Sequence, residues 1–224
     1  MEGNTTVCGV RVVVIGGGIM GCASALALAE RGVAVTVLER AVPGAEASSA
    51  AAGILGAQSE SHEPGPLVEL LIKSRALYPE WVNKLTNRGA LTVGYVRSGV
   101  LRLARTEHEA ADLERIADWQ EAAGLRVERL DHEAASKLEP ESNNAIVSAL
   151  YFREDAQVEP PLLLRALVAA LARAGVETRS GAMVKKIAIS SGRATGVLLD
   201  DGELPADAVV LAAGSWSALV PGAS

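Results

Sequence analysis

Four residues near the start of the chain have types and spacing suited to one kind of chemistry. Gly16, Gly18 and Gly21 form the pattern G-x-G-x-x-G within "VRVVVIGGGIMGCASALALAERG", and Glu39 follows 18 residues after the last of them. The first glycine permits a tight turn, and the second lets backbone N–H groups approach a pyrophosphate with no Cβ in the way. The third lets a helix sit close to a sheet, so that its positive N-terminus faces the phosphates. A carboxylate at the end of the next strand can accept hydrogen bonds from ribose hydroxyls. Each feature also has a plainer reading. The glycines could be a tight turn without a ligand, and Glu39 a solvated charge beside Arg40. Their order favours a dinucleotide site, and a ribose-binding carboxylate disfavours the 2′-phosphate of NADP.

These residues need a strand, a helix and a second strand to hold them. Val10 to Ile15 is almost entirely β-branched, as in a strand buried on both faces. Ile19 to Arg31 reads as a helix that stops at Gly32, and "AVTVL" (Ala34 to Leu38) reads as a second buried strand. The crossover makes the two strands parallel. Further helices are predicted over Leu67 to Thr86, over Thr106 to Ala123 with Thr106 and Glu109 as a capping box, and over Leu162 to Ala174 behind Pro160-Pro161. "ALTVGYVRSGVLRLA" (Ala90 to Ala104) predicts a hairpin turning at Ser98-Gly99. "SALYFRED" predicts a strand, and so do "VETRSG", "AMVKKIAIS", "ATGVLLDDGE" and "DAVVLAAGSWS". The fold class is therefore α/β, a Rossmann-like parallel sheet with an inserted, mostly antiparallel α+β part. The expected domains are 1–89 and 156–224 around an insertion at 90–155.

Composition excludes several classes. The chain has 224 residues, of which 49% are hydrophobic and only 3% aromatic, and its net charge is −6. Its basic residues are dispersed, which argues against nucleic acid. No run approaches the roughly 18 apolar residues of a membrane span, and "MEGNTTVCGV" lacks the pattern of an export signal. Cys8 and Cys22 make neither a disulfide framework nor a metal pattern, and Cys22 reads as a small buried packing residue. A cytoplasmic protein without a metal is the expectation. His62, His108 and His132 read as solvated, and Trp81, Trp119 and Trp216 as packing residues, with Trp216 in reach of a cofactor.

The choice between NAD and FAD turns on Ala47 to Leu55. "ASSAAAGIL" offers two hydroxyls and then almost no side chains, which suits the passage of a flavin; as composition alone it is equally a flexible loop. The order "GGGIMG … ER … ASSAAAGIL … VVLAAGSWS" resembles the FAD-dependent D-amino-acid oxidase superfamily, and within it the bacterial glycine oxidases of thiamine biosynthesis. "EPGPLVELLIKSRALYPEW" and "VEPPLLLRALVAALARAGVE" extend the resemblance along essentially the whole chain.

The resemblance implies FAD as cofactor, with Gly16, Gly18, Ile19, Met20 and Gly21 at the pyrophosphate. It places Glu39 and Arg40 at the adenosine ribose and Ala47 and Ser48 at the phosphate–ribitol part. Ala52, Gly53 and Ile54 would lie beside the isoalloxazine, Val184 would meet adenine through its main chain, and Ala213 and Gly214 would contact the cofactor. It further implies oxidative deamination of glycine or a related small amino acid or amine by oxygen. The products would be an imine or 2-oxo acid, ammonia and hydrogen peroxide.

An α-carboxylate calls for an arginine fork. In the family that anchor comes from beyond the position of Ser224, whereas Arg97, Arg102 and Arg153 read as surface or ion-pair residues. The chain is thus expected to be the N-terminal part of such an enzyme, with its catalytic residues unassigned. The alternatives are a catalytically silent FAD-binding module, another superfamily member such as a D-amino-acid dehydrogenase or a sarcosine-type oxidase, and an NAD-binding regulatory domain. The partners implied are a small amino acid and oxygen, with no nucleic acid and no membrane span; a homo-oligomer stays open.

Overall fold

The computed structural model describes residues 9–87, 91–142 and 146–223; Cys8 and Ala90, named above, lie outside them. In chain order the elements are β1 (Arg11–Ile15), α1 (Ile19–Ala29), β2 (Ala34–Glu39), α2 (Ala47–Ala50), β3 (Ile54–Leu55), α3 (Pro66–Asn87), β4 (Val100–Ala104), α4 (Glu107–Ala122) and β5 (Glu128–Leu130). There follow α5 (His132–Leu138), β6 (Ser148–Phe152), β7 (Ala156–Gln157), α6 (Pro160–Arg173), β8 (Glu177–Ser180), β9 (Lys186–Ser190), β10 (Arg193–Leu199), β11 (Gly202–Pro205) and β12 (Ala208–Leu211). A 3₁₀ turn closes the series at Gly214–Leu219. The chain forms two compact units. One comprises Met1–Ala52, Lys84–Val93 and Glu159–Ser224, the other Gly53–Asn83 and Gly94–Val158. Residues 53–83, expected in the first domain, thus cluster with the second unit.

The first unit is built on a parallel sheet in the order β12-β1-β2-β8. β1 is central, pairing Val12 with Val35 on one side and with Ala208 on the other. Val12, Val13, Val14 and Ile15 are all buried, which accounts for the unbroken β-branched run, and each contributes about 1.5–3 kcal/mol by leaving water. Helix α1 packs on α6 and β2, ends at Glu30, and leaves through Gly32 at φ +81°. Helix α6 takes up both Pro160 and Pro161 in its first turn, where their missing N–H groups cost nothing. An antiparallel sheet, β11-β10-β9, completes the unit. "AMVKKIAIS" enters it only from Lys186, and "ATGVLLDDGE" divides into β10 and β11 at a turn.

The second unit carries the antiparallel sheet β4-β6-β5 and the short pair β3-β7. Helix α4 covers the sheet, burying Leu113, Ile116 and Ala117 against Ala104, Leu150 and Phe152. Its start is the expected capping motif with one change. The Thr106 hydroxyl accepts from the Glu109 N–H at 3.2 Å, while the Glu109 carboxylate reaches back to the N–H of Arg105 rather than that of Thr106. The hairpin expected over 90–104 is not formed. Residues 91–99 contain only an isolated bridge, Val96 to Gln157, and β4 pairs with β6 instead, Val100 opposite Phe152. Local alternation is satisfied equally by either partner, and β6 offers β4 a strand whose Ala149, Leu150 and Phe152 are buried.

Candidate functional site

At the carboxyl ends of β1, β2 and β12 the first unit opens into a cavity of about 690 Å³. This is where ligands bind in open α/β sheets, because helix N-termini and free strand ends converge there. The turn after β1 makes the floor. Gly16 has φ +110°, and a Cβ there would come within 2.4 Å of the Ala212 carbonyl oxygen. At Gly21 a Cβ would meet the Gly16 carbonyl oxygen at 2.0 Å, so α1 lies against the turn at a distance only glycine allows. A Cβ on Gly18 would meet just the Ser48 hydroxyl, at 2.9 Å, and that position otherwise faces the cavity.

Helix α1 begins with no side-chain cap on Gly18 and no acidic residue in its first turn. The first N–H groups of a helix need acceptors, and its N-terminus carries roughly half a positive charge. Among the described residues only the Ile19 N–H of this end meets a side-chain acceptor, the Ser48 oxygen at 3.1 Å. The remainder of that end is suited to an anion.

Glu39, at the end of β2, is buried and held from both sides. It accepts from the Gly17 N–H at 2.7 Å and from the Ala41 N–H at 2.9 Å. A carboxylate has about four acceptor sites, so Glu39 keeps lone pairs for a ribose while its orientation is fixed. Gly17 is the residue the pattern passes over. A Cβ there would stand 3.0 Å from the Glu39 Cβ, so the middle glycine of the run makes room for the carboxylate. Burial, with the negative Glu39 nearby, raises the Cys22 thiol to about 11; Cys22 is fully buried and inert, its Sγ against the Gly17 carbonyl.

The cavity brings together Gly16, Gly18, Met20, Glu39, Arg40, Ala47, Ser48, Val184, Ala213 and Gly214. Ile19 and Gly21 stand behind its wall. Ala52, Gly53 and Ile54 are not among the lining residues, and Gly53 and Ile54 belong to the second unit. Glu46 is a charged lining residue that escaped the sequence reading, while Trp216, read there as a packing residue in reach of a cofactor, also lines the cavity. Glu46 binds Arg40 at 2.5 Å, and its signal was to be the one charge in a small-residue stretch. Trp216 lies 4.0 Å below the Arg40 guanidinium. None of the three tryptophans is a core residue, for all are half-buried.

An uncapped helix end, a turn open to phosphates and an oriented carboxylate fit the adenosine diphosphate half of FAD, and Gly18, Ser48, Glu39 and Arg40 are the residues that would hold it. The three arginines weighed in the sequence are occupied elsewhere. Arg97 pairs with Glu154, Arg153 with Glu128, and Arg102 donates to the Ser59 carbonyl. The second unit has a smaller cavity of about 260 Å³ beside Arg75, Tyr95 and Arg97, but both guanidiniums there already bind carboxylates. His62 is exposed, as expected, and only its carbonyl is used, accepting from the Trp119 indole. Among the described residues no cluster of His, Cys, Asp or Glu could hold a metal, and no helix is long and apolar enough to cross a membrane.

Residues 11–223 match the family model of FAD dependent oxidoreductases, DAO. The chain is 40% identical over 210 residues to a glycine oxidase of Geobacillus kaustophilus, covering 92% of this chain and 55% of the relative. It is 34% identical over 215 residues to the bifunctional protein ThiO/ThiG of Trichormus variabilis, covering 92% of this chain and 31% of the relative. The crystal structure of glycine oxidase from Geobacillus kaustophilus superposes with a TM-score of 0.87 over 93% of this chain and 56% of that one. The chain therefore spans about half the length of the glycine oxidase it matches.

Proposed function

The chain belongs to the FAD-dependent oxidoreductase family, and on that premise we propose that it forms the cofactor-binding part of an oxidase acting on glycine or a related small amino acid or amine. The reading is carried by one observation: an uncapped helix N-terminus and a backbone-held carboxylate face the same cavity. The N–H groups of the turn and of α1 bind the pyrophosphate, Glu39 takes the ribose hydroxyls, and Ser48 steadies the entry of the helix. When bound, FAD supplies the two-electron acceptor for converting the amine to an imine, which hydrolyses to the 2-oxo acid and ammonia while oxygen becomes hydrogen peroxide.

The parallel-sheet unit is the FAD domain in this reading and the second unit the first part of a substrate domain. Among the described residues Arg40 is the one arginine that lines the cavity, so the reading assigns this part of the chain to holding the cofactor and leaves the amino-acid carboxylate without an assigned anchor. The relatives named glycine oxidase and ThiO/ThiG support glycine as substrate and a place in thiamine biosynthesis. The test is to titrate the purified chain with FAD, following flavin emission, and then to add glycine under air with peroxide detection. Saturable quenching without peroxide is the expected result. Absence of flavin binding would refute the reading, and peroxide would show that a carboxylate anchor lies within these residues.

A further inference from the structure

The smaller cavity, of about 260 Å³, is lined by residues of the second unit alone. Ile72, Arg75, Ala76 and Pro79 follow the spacing i, i+3, i+4, i+7, so one face of α3 forms a wall. Tyr95, Arg97 and Glu154 complete the lining. Both guanidiniums have carboxylate partners, yet neither is used up. Arg75 commits only Nη1, which meets Gln58 Oε1 at 2.8 Å and Asp155 Oδ1 at 2.6 Å. Its Nε and Nη2 have no partner among the described residues, although the side chain is just 13% exposed. Nor are they sealed in, because Ser59 Oγ is the one buried side-chain polar atom left unpaired among those residues. Arg97 reaches Glu154 Oε2 through Nη2 at 2.7 Å, which leaves Glu154 Oε1 an open acceptor. The Tyr95 ring stacks on Tyr78 with centroids 6.0 Å apart, and its hydroxyl has no partner among the described residues. Burial raises the Tyr95 pKa while Arg97 and Arg75 pull it down. The phenol is therefore a protonated donor at neutral pH, lying in the field of both cations.

Charge decides what such a cavity can hold. Two guanidiniums stand against two carboxylates, Asp155 and Glu154, so the surroundings are neutral as a whole. A lone anion or a lone cation would bring uncompensated charge into a partly buried site, which is unfavourable. A zwitterion brings none, and it can use the free donors and the free acceptor together. Drug-sized ligands occupy about 300–1,000 Å³, so the smaller space suits a molecule of a few heavy atoms. We propose that the second unit binds a small free α-amino acid in this cavity. Its carboxylate meets the outer edge of Arg75 and the Tyr95 hydroxyl, its ammonium meets Glu154, and the apolar part of the α3 wall faces a short side chain. The proposal concerns binding alone and stands independently of the FAD reading.

Saturation-transfer NMR of the full chain tests it, with alanine, propionate and ethylamine as probes. Alanine should saturate with a dissociation constant on the order of 1 mM. Propionate lacks the ammonium and ethylamine the carboxylate, and each should bind at least about tenfold more weakly. Tyr95→Phe should weaken alanine and propionate alike, by about tenfold. Glu154→Gln should weaken alanine by a similar factor and remove its advantage over propionate, a change that a merely structural role would not produce. Both side chains are partly exposed, and circular dichroism checks that the variants fold. A wild-type chain that shows no saturation with alanine overturns the proposal. Propionate binding as tightly as alanine also overturns it, and so does an alanine affinity unchanged in both variants.

Discussion

Glu39 and Asp155 are buried carboxylates, one in each unit, and both grip backbone amides. Asp155 is fully buried and has all its demands met. It accepts from the N–H groups of Gln58 and Ser59 and from Arg75 at 2.6 Å, and Gln58 is tied in turn to Gln120 and to the Arg126 carbonyl. Glu39 also takes two N–H groups, yet among the described residues no guanidinium or ammonium pairs with it, and it fronts a cavity. The first is a strut, with its charge cancelled inside the protein. The second is aimed outward, its charge left for something that donates hydrogen bonds. Burial alone does not distinguish a structural carboxylate from a binding one; the remaining acceptor capacity does.

That contrast breaks most sharply at Asp155. Asp155→Ala leaves Arg75 largely buried without its partner, and the second unit should lose about 3–5 kcal/mol of unfolding free energy in urea denaturation. Glu39→Gln should show the opposite balance. One backbone N–H then faces an amide NH₂ in place of an oxygen, costing about 1–2 kcal/mol of stability, while FAD affinity falls ten- to hundredfold, on the order of a lost charged hydrogen bond. Equal effects on folding and binding would erase the distinction.

Within the turn, Gly16 and Gly18 sharpen it further. Gly16→Ala meets the Ala212 carbonyl at positive φ and should cost about 1–3 kcal/mol of thermal stability. Gly18→Ala needs only the Ser48 hydroxyl to move, so the melting curve should stay and flavin titration should show the loss. Cys22 reports on the same turn through pH. Its folded pKa, about 11 against an ordinary 9.0, favours the neutral thiol. That contribution is complete below pH 9.0 and is lost as pH rises toward 11, where the unfolded chain releases its proton first. In a Cys8→Ser background the folded chain should resist alkylation at pH 8.5 until urea unfolds it. The smallest effect is expected far from the cavity: Thr106→Ala should cost about 1 kcal/mol through the lost helix cap, read in the same denaturation.

Much of the candidate site was legible because its parts are close in sequence. The strand–turn–helix of residues 10–31 and the carboxylate at the next strand end specify each other locally. What stayed hidden depends on distant pairing. Asp155 meets Gln58 across 97 residues, and Arg40 meets Trp216 from the far end of the sheet; neither contact leaves a local period. The hairpin expected at Ser98-Gly99 failed for the same reason, since alternation in 91–104 reports a strand face without naming its partner. Gly99 is instead tight against the Tyr151 ring, a role unreadable from its neighbours.

The central strand has one further consequence, for the birth of the protein. Arg11 finds Asp207 across 196 residues, and β1 gains its second neighbour only when β12 exists. At about 5–20 residues per second of synthesis, that is a wait on the order of 10–40 s. Through this interval one edge of an apolar strand stays unpaired, while the second unit, made of nearer contacts, can close first. The nascent chain thus carries its sticky edge on the segment that later shapes the cavity floor, and chaperone capture during translation should map to β1 and β2.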